Sequence, residues 1–401
     1  MTYDFLVPLI GGQLLGMEAA YGKRPNAIYS YTPFRANDSQ IIEYYKGEVP
    51  YYLIDEQQVP FDAKKVDVIG TTCPCAGLSS LSPSASSTNP ANDWMIKSAE
   101  WALSFAKPKV FWGENAPRFA SKMGEPVRNK LIEIAKRNGY HFSVYKTKSI
   151  LHGLSQVRDR SFYFFWREDV FDGVPVFEYF NREYERIEDT ITNTEYLAND
   201  PMDVLVRDDK PSDNPFYKYV LDHMTGIDHF GFQNMIPKTI NPYDYLENAG
   251  HTYDKVGEWM HKHGYEKETK RCERIFKKLA SGGNIMRKTT EIPKDHIGAF
   301  VGHLPTCLTH PTDDRYLTIR ECLNIMKMPK DFILQGGKRN LNMICQNVPV
   351  TTAKDMAIQI KKALDGELDQ IHPDGGYLMQ DNKKQTYELI NATPASLDNW
   401  L

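Results

Sequence analysis

The sequence predicts a doubly wound α/β fold, a parallel sheet with helices on both faces. Three observations carry that expectation. Short apolar runs alternate with helical stretches through the first 166 residues, which is the signature of βαβ units. The apolar fraction is 41% and the charged fraction 25% of 401 residues, enough for a sizeable core. The regular pattern lapses after about Arg167 and returns at about Pro311.

In order, "YDFLVPLI" is an apolar run that stops at Gly11-Gly12, and "QLLGMEAAYG" follows as a helix. "NAIYSYTPF" reads as a second strand, and "VDVIGTT" as a buried strand ending at a Pro-Cys turn. "DWMIKSAEWALSFAK" has apolar residues at helical spacing, "PKVFWGEN" is the next strand, and "VRNKLIEIAKRNGY" is an amphipathic helix ended by Gly139. "SFYFFW" reads as a further strand. The middle segment is rich in aromatics, prolines and charges, with "NREYERIEDTITNTEYL" and "YEKETKRCERIFKKLASGG" as its helical pieces. "LTIRECLNIMKM" and "TAKDMAIQIKKALDG" are amphipathic helices, and the polar tail beyond Leu364 is expected to be partly disordered. Residues 78–93 form a loop of low complexity, read either as a lid over a site or as a plain connector.

Net charge is −4 and the pI about 6.3. That excludes coating of nucleic acid by bulk charge but not recognition through one basic face. Of six cysteines only Cys73 and Cys75 lie close together, and Cys-x-Cys lacks the spacer of a zinc knuckle. No metal site is expected. Without a secretory signal or an apolar run of membrane-spanning length, the expectation is a soluble protein of a reducing compartment.

Three clusters carry chemistry. Cys75 sits at the end of a predicted strand, where doubly wound sheets bind ligands, although a lone cysteine is more often a small core hydrophobe. Glu114 and Asn115 end the next strand on the same sheet edge, where a carboxylate would protonate a substrate ring nitrogen; the alternative is a surface position near a helix start. Arg158 and Arg160, two apart at the mouth of a strand, share a face and suit an oxygen-rich substrate, or else form a solvated charge pair.

Taken in order, Pro74-Cys75, Glu114-Asn115 and Gln156-x-Arg158-x-Arg160 resemble the hallmarks of the DNA cytosine-5 methyltransferase family. "RYLTIRECLNIMKMPKDF" and "CQNVPVTTAKDMA" resemble its two later blocks. The resemblance covers residues 1–166 and about 311–361. It implies a Rossmann-like methyltransferase domain made of residues 1–166 and 311–401, with a smaller target-recognition domain, 167–310, inserted between. It further implies that Cys75 adds to carbon 6 of a flipped cytosine, making carbon 5 an enamine nucleophile. Glu114 would hold or protonate ring nitrogen 3, Arg158 the ring carbonyl, and Arg160 the surroundings of the flipped nucleotide. Asn115, Gln156 and Ser79 fall on the substrate side. In the middle segment, Lys267, Lys270, Arg271, Lys277 and Lys278 would meet phosphates, with a solvated helix face as the alternative.

The implied donor is S-adenosylmethionine, at Ile10, Gly11, Gly12, Asp55, Pro74, Gln346 and Asn347. Here the sequence departs from the family. Its Phe-x-Gly-x-Gly is Val7-Pro8-Leu9-Ile10-Gly11, its ribose-binding glutamate is missing between Ala27 and Phe34, and its Gly-Asn is Cys345-Gln346. Methylene-tetrahydrofolate or a carboxylated S-adenosylmethionine are therefore alternative donors, the former giving hydroxymethylcytosine. An inactive DNA-binding relative and an RNA-modifying relative are the remaining alternatives. The implied partner is double-stranded DNA, met by a monomer in the cytoplasm of a bacterium or of a phage-infected host cell.

Overall fold

The computed structural model describes residues 1–56, 66–79, 82–223, 247–283, 293–302 and 304–391. These divide into two compact units: Met1–Glu185 with Ile297–Phe300 and Leu323–Leu401, and Arg186–His296 with Val301–Cys322.

The first unit is built on one sheet. Its strands are β1 (Tyr3–Leu6), β2 (Ile28–Ser30), β3 (Tyr51–Leu53), β4 (Val68–Thr71), β5 (Val110–Asn115), β6 (Tyr140–Lys148) and β7 (Asp159–Arg167). A two-residue pair, β8 (Val174–Pro175) with β9 (Gln370–Ile371), stands apart, and β10 (Tyr377–Asp381) and β11 (Thr386–Ile390) complete the set. The order across the sheet is β11-β10-β6-β7-β5-β4-β1-β2-β3. From β3 to β5 the strands run parallel. β7 is antiparallel to both β5 and β6, so the sheet is mixed rather than parallel throughout. "SFYFFW" is buried at every position because both faces are covered, and such a run does not reveal strand direction.

Alternation along the strands divides the core into two layers. Ile69, Phe111, Phe142 and Phe165 pack under the helices Asp93–Trp101 and Glu125–Asn138, against Met95, Leu131 and Ala135. On the opposite face the bare Gly70 admits Met17 of the helix Gly12–Tyr21, and that helix packs along Val350–Leu364. Beyond Leu364 the described residues run to Asn391 and include β10 and β11, while the rest of the tail lies outside the described residues. Buried Tyr377, Leu378 and Met379 place β10 beside β6, and the polar surroundings concealed this short apolar strand.

Of the expected middle-segment helices, the first is confined to Ile187–Thr192 and the second spans Glu266–Ala280. Two helices unforeseen in the sequence, Pro215–His223 and Tyr253–Lys262, join it around a small core of Phe216, Val220, Val256, Met260, Cys272 and Ile275. Lys267, Lys270, Arg271, Arg274, Lys277 and Lys278 recur at helical spacing on the side away from Cys272 and Ile275. The block "RYLTIRE" also finds its reason here. The Thr318 hydroxyl accepts from the Glu321 amide (3.1 Å), while the Glu321 carboxylate accepts from the Thr318 amide (2.7 Å), a capping box that starts the next helix. Arg315 forks onto Glu321, and buried Arg320 grips Asp200 at 2.7 and 2.9 Å.

Candidate active site

The chain winds outward from β1 through β2 to β3, then returns to β4 beside β1. The winding thus reverses between β1 and β4, and the carboxyl ends there form the ligand crevice of such sheets. The two ends are tied by the Thr72 amide donating to the Val7 carbonyl, 3.3 Å.

Cys73 and Cys75 leave β4 very differently. Cys73 is buried, its sulfur 3.4 Å from both the Thr71 and the Ser98 hydroxyls. Cys75 is half-buried beyond the half-buried Pro74 and packs only along the margin of the core. Burial raises its thiol, as does the charge of Glu114, while Arg160 and Arg158 pull it down. Glu114 is 3% exposed and forms an ion pair with Arg160 through Oε1 and Nε. Burial raises its carboxyl against the opposing pull of the two arginines, so it retains a proton more readily than an exposed glutamate. The sheet explains the meeting. Glu114 and Asn115 face Phe162 and Ser161 in the β5–β7 ladder, which brings Arg160 to the β5 end.

The other predicted substrate residues serve the framework. Asn115 turns to the opposite face, accepting from the Ala116 amide (2.8 Å) and donating to Met95 Sδ (3.2 Å). Gln156 is fully buried, donating to the Ile325 carbonyl and accepting from the Phe300 amide. Arg158 is also buried, its terminal nitrogens donating at 2.9 Å to the carbonyls of Phe300, Cys345 and Asn347. The arginine paired with the buried carboxylate is therefore Arg160, while Arg158 donates to three main-chain carbonyls on two stretches, Phe300 and the Cys345–Asn347 turn. Ser79 is half-buried, and its carbonyl accepts from Arg118 (3.4 Å). Of the loop 78–93, residues 80 and 81 lie outside the described set, and Asn92 donates to the carbonyls of Ser86 and Ser87.

At the β1 end, Gly11 has φ +99° and Ile10 is buried. The Gly12 amide donates to the Asn347 side chain (2.8 Å), and a Cβ on Gly12 would lie 2.1 Å from the Val348 carbonyl. This glycine is required for close packing against the last block. Gln346 is exposed, and Asp55, exposed too, takes the Thr32 amide on both oxygens, 2.9 and 3.1 Å. Leu9 holds φ +53°, a left-handed backbone that residues other than glycine rarely adopt. Its amide donates to Asp38 (2.9 Å), a buried carboxylate that also accepts from the Tyr51 hydroxyl (3.0 Å). Asp38 was not singled out in the sequence. It lies in the polar stretch "RANDSQ", where an inward-facing aspartate looks like any first-turn acid.

Together, a cysteine at the reversal point of a doubly wound sheet and a buried carboxylate–arginine pair on the neighbouring strands mark the edge at which such α/β proteins bind ligands. A family model, C-5 cytosine-specific DNA methylase, matches residues 6–362, and the chain belongs to that family. A protein of Methanocaldococcus jannaschii named as a type II methyltransferase is 41% identical over 56 residues, 14% of this chain and 18% of that relative's length. Among solved structures, a DNA modification methyltransferase encoded in an E. coli prophage aligns with TM-score 0.55 and 15% identity, over 91% of this chain and 99% of its own. The methyltransferase EhMeth of Entamoeba histolytica aligns with TM-score 0.53 and 12% identity, over 92% and 98%. DNMT2 of Spodoptera frugiperda gives 0.50 and 14%, over 91% and 100%. At these identities the structures establish the shared fold.

S-adenosylmethionine is the usual donor of the family. Among the described residues, those at the β1–β3 end do not reproduce a ready cradle for it. The Cβ space of Gly12 is filled by Asn347 and Val348, that of Gly11 by Ile41, and Asp55 is occupied by the Thr32 amide. Among the described residues no group of three or more His, Cys, Asp or Glu is arranged to hold a metal. No described helix is long and apolar enough to cross a membrane.

Proposed function

We propose that the protein transfers a one-carbon group to carbon 5 of cytosine in DNA, with methylation as the product. Family membership supports the reaction class, and the observation that carries the reading is the meeting of Cys75, Glu114 and Arg160 on one sheet edge.

Each residue has a step. The Cys75 thiolate attacks carbon 6, forming a C–S bond, and the ring's electrons shift toward nitrogen 3. Glu114, which holds its proton unusually well, delivers it there, leaving an enamine with a nucleophilic carbon 5. Arg160 keeps Glu114 in place and balances its charge once the proton has gone. Once carbon 5 has taken the one-carbon group and the rest of the donor has left, carbon 5 gives up its own proton to solvent, the C–S bond breaks to restore the double bond and the thiolate, and nitrogen 3 returns its proton to Glu114. Arg158 fixes the Cys345–Asn347 turn and so acts as a positioning residue. The target base must leave the duplex to be reached. The second unit is read as the target-recognition region, its basic helix face meeting phosphates.

Because the donor end is rebuilt, methylene-tetrahydrofolate or a carboxylated S-adenosylmethionine remains the second reading. Mass spectrometry of nucleosides from DNA treated with protein and each donor separates the products. Trapping on DNA containing 5-fluorocytosine tests the chemistry: a covalent adduct is expected with wild type and none with Cys75→Ala, whose turnover should fall by at least about 10⁴-fold. Full turnover by Cys75→Ala would refute the proposal.

A further inference from the structure

The second unit contains a cavity of about 430 Å³ that no step above uses. Its walls include the rings of Tyr219, His223, His251 and Trp259, with Lys255 and Lys262 at its margin. Tyr219 is the buried pivot. His223 stacks on it at 4.1 Å and 21°, and Trp259 meets it edge-on at 5.5 Å and 84°. Its hydroxyl is 2.9 Å from His251 Nδ1, and the Trp259 indole donates to Asp222 (2.8 Å), so two rings are held by polar contacts as well as by packing.

Charge narrows the ligand. Lys255 and Lys262 are seven apart on one helix, so both project from the face that carries Trp259. Lys255 and Lys262 line the cavity as cations and disfavour an added one, and His251 beside them is lowered by burial first and by His223 and Lys255 next. That argues against an aromatic cage for an ammonium group. Of the carboxylates, Asp222 is taken by the indole, while Glu258 lines the cavity and would accept from an exocyclic amine. Flat rings beside lysines are the combination that holds single nucleotides of a strand, the base on the ring and the phosphate on the cation. The volume falls within the usual range of small-ligand sites.

We infer that this cavity binds one nucleotide, its base against Trp259 and His223 and its phosphate at Lys255 and Lys262. The inference rests on the nucleic-acid reading of the family, but its site and its test are independent of Cys75. The source is either an unpaired nucleotide of the DNA or a free nucleotide.

The test uses the full chain and reads binding alone. Calorimetry with dCMP reports the cavity, and anisotropy of a labelled twelve-nucleotide single strand reports the strand. Wild type should bind both, with dCMP competing for the strand. Lys255→Ala/Lys262→Ala, which removes exposed side chains, should weaken dCMP at least tenfold and reduce the salt slope for the strand by about 1 to 2. Trp259→Leu should weaken it roughly five- to a hundredfold, with Trp259→Phe restoring most of the affinity. Loss of dCMP binding with unchanged strand binding would assign the site to a free nucleotide. Wild-type binding of both probes by a folded lysine double variant would overturn the inference. An adduct-forming protein that fails here keeps its catalytic reading, and the reverse also holds.

Discussion

At the β4–β5 end of the crevice, ionisable side chains answer one another: Glu114 pairs with Arg160, and Cys75 feels both. At the β1–β3 end, carboxylates answer main-chain amides and uncharged hydroxyls instead, Asp38 the Leu9 amide and the Tyr51 hydroxyl and Asp55 the Thr32 amide. Side chains paired with side chains can exchange partners and protons while the backbone stays put. Carboxylates bound to amides fix loop shape and are costly to redirect. One end therefore gathers ionisable side chains against one another, and the other anchors loop backbone.

The two arginines of one motif give the widest separation between these roles. Arg158→Ala would leave three buried carbonyls without their donors and should cost about 3–5 kcal/mol of stability, measured by urea unfolding. Arg160→Ala strands the buried Glu114, which can take up a proton, so it should cost less stability than Arg158→Ala and instead reduce turnover. Similar stability losses in both would break the distinction. Next in size, Glu114→Gln cannot deliver a proton to nitrogen 3, and turnover should fall by roughly 10²–10⁴-fold with DNA affinity retained. A gel-shift titration beside the rate assay checks that split, and a matching loss of affinity would move Glu114 to a binding role.

The β1–β3 end makes its own prediction through pH. Burial raises Asp38 to about 7, against the opposing hydrogen bonds of Ser30, Tyr51 and Leu9. A carboxyl raised in the folded state contributes stability that is fully present below its unfolded value near 3.8 and lost as pH climbs through 7. Asp38→Asn still offers the Leu9 amide an acceptor, so it should flatten the decline in stability between about pH 4 and 7. Asp4, likewise raised to about 7, supplies a second such titration, so some slope should remain. An unchanged pH slope in urea unfolding would remove Asp38 from this role.

The same contrast explains what was legible in the sequence. Strands β1, β2, β4, β5 and β7 were visible as apolar runs, and the Cys75, Glu114 and Arg158-x-Arg160 clusters as motifs at strand ends. Direction in β7 was not, because a strand covered on both faces looks alike either way. β10 escaped notice because it is short and lies beyond a polar stretch, and the helices Pro215–His223 and Tyr253–Lys262 because aromatics and charges blur their apolar stripe. Motif spacing showed that two arginines matter but not that they divide the work. That division arises from Phe300, Cys345 and Asn347, more than 140 residues away.

The smallest effect probes the thiol itself. Burial is the main cause of the raised Cys75 value, and the negative charge of Glu114 is the next. Removing that charge in Glu114→Gln leaves Arg160 and Arg158 acting alone, so the pH at which Cys75 becomes a thiolate should move down. Arg160→Ala removes a stabilising charge and should move it up. The rate of iodoacetamide alkylation against pH reads both, with Cys75→Ala as the blank for the other five cysteines. Both shifts should be modest, because the burial that dominates is untouched by either substitution. Opposite signs would show that Cys75 senses the pair; a shared direction would mean that each variant acts by opening the crevice to water, and the electrostatic account of this end would fail.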